Sequence, residues 1–191
     1  LGDWLAETPN ALRVERIDPP NRPPLSDETL AQFAARRAMG GFYFTFYCTQ
    51  SGSGMAPNDL RPPQSSAPFG GMATQWGTKA NLCLEDDDAL IITANDAGAL
   101  FRNIVLCDAF FMSINYWQTT SSLNMSQMAA DDDGQFTFIV SHSDPGIHNW
   151  LDTNGLRRTI FGHRWPAFPG GTTRITPTMI SRLVKFSDLD R

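Results

Sequence analysis

The chain has 191 residues and a net charge of −5, with 41% apolar and 18% charged residues. This apolar content is enough for the core of one domain with an extension, which excludes an intrinsically disordered protein. The acidic balance argues against nucleic acid or an anionic membrane as a partner, and no apolar run is long enough for a membrane-spanning helix.

Residues 1–25 form the first predicted element, a proline-rich arm. Five prolines favour extended backbone and deny regular sheet pairing, while nearby charges keep the segment in water. Such an arm has little reason to be ordered alone. We therefore expect it to contact a protein partner or a neighbouring subunit of a homo-oligomer.

Residues 26–69 predict a helix, an aromatic strand and a long loop. Ser26 is a suitable N-cap, two acids follow it, and Gly40-Gly41 predict the helix end. Residues 42–48 are aromatic at alternating and adjacent positions, which predicts a strand covered on both faces. The Gly, Pro and Ser residues of the segment 51–69 predict a loop.

Residues 70–191 predict an antiparallel, jelly-roll-like β-sandwich that ends in a tail. Short strands are expected at 89–94, 100–106, 109–116 and 136–142, with a returning strand near 158–165 that pairs with the preceding one. The tail, residues 175–191, is expected to pack back through Ile180, Leu183, Val184 and Phe186. The predicted fold class is mainly β, with one N-terminal helix and the proline-rich arm.

The segment Asp144–Gly155 is the densest part of the sequence in turn signals. In Asp-Pro-Gly, the proline presets φ and Gly146 accepts the positive φ of a type II turn. Asn154-Gly155 is a strong hairpin signal, because both residues tolerate positive φ. The apolar pair Trp150-Leu151 between these turns predicts a rigid connection anchored on the core.

This segment, read as D-P-G-x-x-N-W-L-D-T-x-G, resembles the signature of the bacterial DUF1214 family, the C-terminal domain of DUF1254/DUF1214-type proteins. Residues 116–124 resemble a second block of that family with one shifted position, and residues 86–92 resemble its opening strand. The resemblance covers about residues 70–166. It implies a jelly-roll-like β-sandwich and no particular activity.

Three residues are candidates for catalysis: Asp144, Asp152 and His142. Two carboxyl groups at a suitable separation can act as an acid/base pair on a glycosidic bond. The alternative is that both aspartates cap turns through neighbouring backbone N–H groups. The histidines at 142, 148 and 163 lack metal-motif spacing, so we predict no metal and no other cofactor.

The candidate ligand contacts come from both family-like blocks and the returning strand: Tyr116, Asn124, Asn149, Trp150 and Arg164. Arg164 could pair with an aspartate of the turn or receive a carboxylate ligand. The first functional hypothesis is a non-catalytic domain for small-molecule or carbohydrate-type binding and assembly. The alternatives are a hydrolase or lyase acting on a sugar-like substrate, and a structural subunit of a larger complex.

The sequence leaves open whether the protein is an enzyme. Its three cysteines, Cys48, Cys83 and Cys107, are widely spaced and are expected to be free thiols. The chain begins at Leu1 without a signal peptide, which leaves a processed leader or a missing N-terminal region open. The compartment is therefore open, with the cell envelope or periplasm favoured over the cytoplasm.

Overall fold

The computed structural model describes residues 13–15, 17–18, 23–46, 56–69, 71–171 and 173–189. The chain divides between Met39 and Gly40 into two units. Most of the predicted arm lies outside the described residues, as does Cys48. Among the described residues, Cys83 and Cys107 form no disulfide. Within the described part of the chain, no helix is long and apolar enough to cross a membrane.

Helix α1 runs Asp27–Phe46 and begins as predicted. The Thr29 backbone N–H donates to Ser26 Oγ over 3.2 Å, which caps the first turn. The predicted helix end at Gly40-Gly41 is wrong, because neither glycine has the positive φ that ends a helix. A glycine inside a helix costs only about 1 kcal/mol, so the helix continues through both.

The aromatic strand predicted over residues 42–48 is therefore also wrong for its described part. Residues 42–46 belong to helix α1. The side chains of Phe42, Tyr43 and Phe44 are exposed, so the expected cover on both faces is absent. Aromatic composition favours a strand only where neighbouring strands are present to pack against it.

The second unit contains two sheets. Their strand order is β1-β2-β8-β4-β5 in the five-stranded sheet and β7-β6-β3-β9 in the four-stranded sheet. Neighbouring strands are antiparallel except β6 and β7, which are parallel. The strands are β1 (Gln64–Ser65), β2 (Trp76–Cys83), β3 (Asp88–Ala94), β4 (Phe101–Cys107), β5 (Ser122–Asn124), β6 (Phe136–Ser141), β7 (Trp150–Asp152), β8 (Arg158–Ala167) and β9 (Met179–Lys185). Short 3₁₀ segments occupy Ala67–Phe69, Pro169–Gly171 and Phe186–Asp188.

The two sheets enclose one apolar core, which confirms the predicted mainly β sandwich. Alternate residues of each strand point inward, as the period of two requires. The chain passes between the sheets at β2–β3, β3–β4, β5–β6, β7–β8 and β8–β9, the kind of wrapping found in jelly rolls. The core side chains include Leu82, Leu106 and Phe161 from the five-stranded sheet and Leu90, Phe138 and Val140 from the four-stranded sheet.

The pairing predicted between the 136–142 strand and the returning strand is wrong. Strand β6 pairs with β3 and β7, whereas β8 lies between β2 and β4 in the other sheet. The turn itself is confirmed: the Leu156 N–H donates to the Thr153 carbonyl over 3.0 Å, and Asn154 and Gly155 both have positive φ. It carries the chain between sheets because Leu151 before it and Phe161 after it are both fully buried in the shared core.

Two further predictions need correction. The strand expected at 109–116 reduces to one bridge between Cys107 and Ser113. Asp108 Oδ1 accepts the N–H groups of Phe110 and Met112, each at 2.9 Å, and this turn diverts the chain from the sheet. The tail forms strand β9 beside β3, but Ile180 and Leu183 are exposed because β9 lies at the edge of its sheet.

Candidate functional site

The two aspartates of the segment Asp144–Gly155 each accept a hydrogen bond from a backbone N–H group. Asp144 Oδ1 accepts the Gly146 N–H and Asp152 Oδ1 accepts the Asn154 N–H, both at 2.7 Å. Each is an Asx turn, in which the side chain holds the reversal two residues ahead. These contacts agree with the structural interpretation of the two carboxylates, and neither residue lines the cleft described below.

His142 is held by both of its ring nitrogens. Nε2 lies 3.3 Å from the Leu84 carbonyl oxygen, and Nδ1 lies next to the Thr153 hydroxyl. A carbonyl only accepts, so Nε2 donates to Leu84, and Nδ1 shares a hydrogen bond with the Thr153 hydroxyl. Both nitrogens are therefore engaged within the protein, which leaves neither for a substrate proton.

Asn149 connects the segment Asp144–Gly155 to the loop before β6 by hydrogen bonds. Its Oδ1 accepts the Ala129 N–H at 2.9 Å, and its Nδ2 donates to the carbonyls of Ala129 and Thr137 at 2.7 and 3.0 Å. The residue is only 4% exposed. Trp150 is half-buried beside it, and its indole N–H donates to Ser141 Oγ at 3.0 Å. Both residues therefore serve the fold, Asn149 as a clamp and Trp150 as an anchor.

Tyr116 and Asn124 lie in the segment between β4 and β6. Asn124 Oδ1 accepts the backbone N–H and the hydroxyl of Ser126, at 2.9 and 2.6 Å, which caps a local turn. Tyr116 is 62% exposed and its ring meets Trp117 edge-on, with 5.1 Å between centroids. Neither residue lines the cleft.

The three histidines do not converge. His148 is exposed and donates from Nε2 to the Gln127 carbonyl at 2.8 Å, His142 is half-buried, and His163 is fully buried. Over the residues that the structure describes, no three or more His, Cys, Asp or Glu side chains are grouped so that they could hold a metal ion.

A cleft of about 930 Å³ opens on the outer face of the five-stranded sheet. Its floor is formed by β2, β8 and β4, where Gly162 pairs with Lys79 on one side and Val105 on the other. Gly162 lacks a side chain in a row of outward-pointing residues, and this leaves a depression. An added Cβ there would lie 3.7 Å from Val105 Cγ1, an ordinary van der Waals contact.

The charges around this cleft are of one sign. Arg61, Lys79 and Arg164 line it, and no Asp or Glu is among the described residues that do. Arg164 is thus the predicted ligand contact that the structure places at an opening. It points away from the core between Gly77 and Asn103, which are its partners on β2 and β4.

Sequence reasoning missed the rest of this site. Arg61, Lys79 and Gly162 belong to no motif, and they are separated by many residues along the chain. A weak signal was present in Gly162, because a glycine inside a strand often marks a close approach of a ligand or another backbone. The register that places Lys79 beside it could not be read from the sequence.

Two further polar side chains, His163 and Arg102, are buried. His163 stacks on Trp165 with 4.1 Å between ring centroids, and Arg102 places its guanidinium carbon 3.8 Å over the Phe136 ring. Neither ring nitrogen of His163 has a hydrogen-bond partner among the described residues. Burial, and next the charge of Arg102, lower the pKa of His163 to about 3, so this imidazole is neutral.

No family model and no curated protein matches the chain. Among solved structures, an uncharacterized protein from Burkholderia cenocepacia is similar, with a TM-score of 0.61 and 29% identity over 69% of this chain. The chain spans 36% of that protein's length. A protein from Vibrio parahaemolyticus has a TM-score of 0.39 and 15% identity, with 55% of this chain and 30% of that one covered. The likeness to the Burkholderia protein supports the two-sheet fold.

Proposed function

We propose that the second unit is a non-catalytic binding module for a small molecule, with the cleft over β2, β8 and β4 as its site. The observation that carries this proposal is the combination of a glycine floor with three cationic lining residues and no described acidic one. Its volume of about 930 Å³ falls within the range of ligand pockets, roughly 300–1,000 Å³.

The engagement of the candidate catalytic side chains supports a binding role over hydrolysis or lyase chemistry. A general acid or base must reach the proton that it transfers. Asp144 and Asp152 accept backbone hydrogen bonds in their turns, and both nitrogens of His142 are engaged. The cleft contains no described carboxylate to replace them.

We also propose that the chain is of the DUF1214 type. The twelve-residue segment Asp144–Gly155 supports this, because its Asp, Asn, Pro and Gly positions are used as turn and clamp residues that a family would need to keep. These residues hold the fold and lie outside the cleft, so the cleft residues can differ between members of a family. This fits a family without one defined activity.

A role in a larger assembly is a second candidate, supported by the segment that follows β4. The side chains of Phe110, Met112 and Trp117 are 70%, 61% and 71% exposed. Exposed apolar groups in one segment are typical of protein interaction sites. The test is the oligomeric state by analytical ultracentrifugation, in which a Trp117→Ser variant should dissociate any assembly that this segment forms.

The binding proposal is tested by filling the cleft. We expect a thermal-shift screen with a library of small metabolites to find compounds that stabilise the wild-type protein, because binding to the folded state raises its stability. Gly162→Leu should abolish these shifts. Thr93→Leu, which places the same side chain at a partly exposed position on a strand of the other sheet, is the control. Equal shifts in Gly162→Leu and wild type would contradict the cleft as the site.

A further inference from the structure

The strand register gives the cleft a polar end. One row across the sheet consists of Gln64, Gly77, Arg164 and Asn103, each directly opposite the next. Residues opposite each other share one face of a sheet. Since Gly77 has no side chain, Arg164 has open space on its β2 side.

The next row continues this charge toward the middle of the cleft. It contains Lys79, Gly162 and Val105. Arg61 joins Lys79 from outside the sheet, because the Arg61 backbone N–H donates to the Lys79 carbonyl at 3.3 Å. Arg61, Lys79 and Arg164 thus line the same cleft as Gly162.

The opposite end of the cleft is apolar. Ile160 and Cys107 form the third row, and Phe111 stands beside them on the segment that follows β4. Ile160 is 4% and Cys107 7% exposed, yet neither belongs to the core cluster between the sheets. Their burial therefore occurs on the outer face, and the apolar surface left partly exposed beside them is that of Val105 and Phe111.

The polar end also has charge available for a ligand. Arg164 has no hydrogen-bond or ion-pair partner among the described side chains. A guanidinium binds carboxylate or phosphate oxygens in a bidentate arrangement, and a nearby ammonium adds a further charge-assisted bond. A neutral sugar would leave the Arg164 guanidinium without a counter-charge.

We infer that the cleft binds an amphipathic anion: a carboxylate or phosphate head at Arg164, with an aryl or short alkyl body over Val105 and Phe111. This inference rests on the proposed function, since it names the ligand class for the same cleft. The Arg164 guanidinium attracts the head group. Burial of the apolar body against the sheet contributes further to the free energy of binding.

Isothermal titration calorimetry of the full chain with four probes tests the inference: phenylpropionate, its neutral amide phenylpropionamide, acetate and phenyl phosphate. Phenylpropionate should bind at least about tenfold more tightly than the amide, which lacks the charge, and than acetate, which lacks the body. Tighter binding of phenyl phosphate would retain the amphipathic anion and assign phosphate as the head group.

Two variants locate the head group. Arg164→Gln should weaken binding of the anionic probes at least about tenfold. Arg158→Gln is the matched control, because Arg158 lies on the same strand and the same face but outside the cleft. Its affinity should equal that of wild type.

Three results would overturn the inference. These are equal affinities for phenylpropionate and its amide, equal affinities for phenylpropionate and acetate, and equal effects of the two arginine variants. If no probe binds, the anionic class is also wrong. The metabolite screen with Gly162→Leu decides separately whether the cleft is a binding site, so the two failures are distinguishable.

Discussion

The turn segment Asp144–Gly155 and the cleft both contain closely spaced polar side chains, but these side chains have different partners. In the turn, Asp144, Asn149 and Asp152 each bond to backbone groups of the same protein. In the cleft, Arg164 and Asn103 stand side by side on neighbouring strands and point outward. The turn uses these side chains to hold its own backbone, whereas Arg164 in the cleft has no partner among the described side chains.

We therefore expect the turn to contribute to the stability of the fold and the cleft to contribute to ligand binding. A buried amide that loses its partners is costly, because the groups that it satisfied stay buried. An outward-facing residue without protein partners costs little to remove and can bind a solute instead. Substitutions in the turn should therefore lower stability, and substitutions in the cleft should lower affinity.

Summed over its whole pH window, the largest expected effect comes from His163. His163 has no hydrogen-bond partner among the described residues, yet it is buried, so it should affect stability alone. With a folded-state pKa of about 3 and an ordinary unfolded value of about 6.5, the unfolded state binds more protons between these values. Stability should therefore fall as the pH decreases through this window, by roughly 1 kcal/mol per pH unit.

Denaturant unfolding at about pH 7 and about pH 5 measures this loss above the range in which carboxylates titrate. The His163→Phe variant keeps a ring beside Trp165 and should lose this contribution to the slope. An unchanged slope in that variant would assign the pH dependence to other groups.

The second prediction sharpens the comparison with two matched asparagines. Asn149→Ala should lower the free energy of unfolding by about 3 kcal/mol, because it leaves buried groups of Ala129 and Thr137 without partners. Asn103→Ala, in the cleft, should change it by less than about 0.5 kcal/mol. Chemical denaturation of both variants checks this, and similar losses would remove the distinction between the two regions.

The third prediction concerns the backbone of the turn. Gly155 has φ 73° and no neighbour within 4 Å of an added Cβ, so only its backbone conformation restricts substitution. Gly155→Val should lower stability by more than about 1 kcal/mol, since a β-branched residue opposes positive φ. Gly155→Asn should retain most of it. Wild-type thermal stability in the valine variant would contradict the need for positive φ at this position.

The smallest expected effect is that of Asp144→Asn. An asparagine Oδ1 can accept the same Gly146 N–H, so unfolding should change by less than about 0.5 kcal/mol. Thermal unfolding at neutral pH measures it. A loss well above 1 kcal/mol would show that the negative charge of Asp144 has a role beyond its turn.

The features that the sequence determined by itself are local. Ser26 begins the helix, Asp144 and Asp152 cap turns, and Asn154-Gly155 reverses the chain, because each depends on residues only a few positions away. The period of two similarly predicted the strand at 89–94 within one residue of its observed start. Mainly β architecture follows from such short segments.

Tertiary structure decided which strands meet. The turn at 154–155 did not specify whether β8 would pair with β6 or enter the other sheet, since the same reversal serves both arrangements. Burial of Leu151 and Phe161 in one core selected the second. That choice also places Gly162 between Lys79 and Val105 and so creates the cleft. Residues so far apart in the chain become neighbours only through long-range packing, which no local pattern encodes.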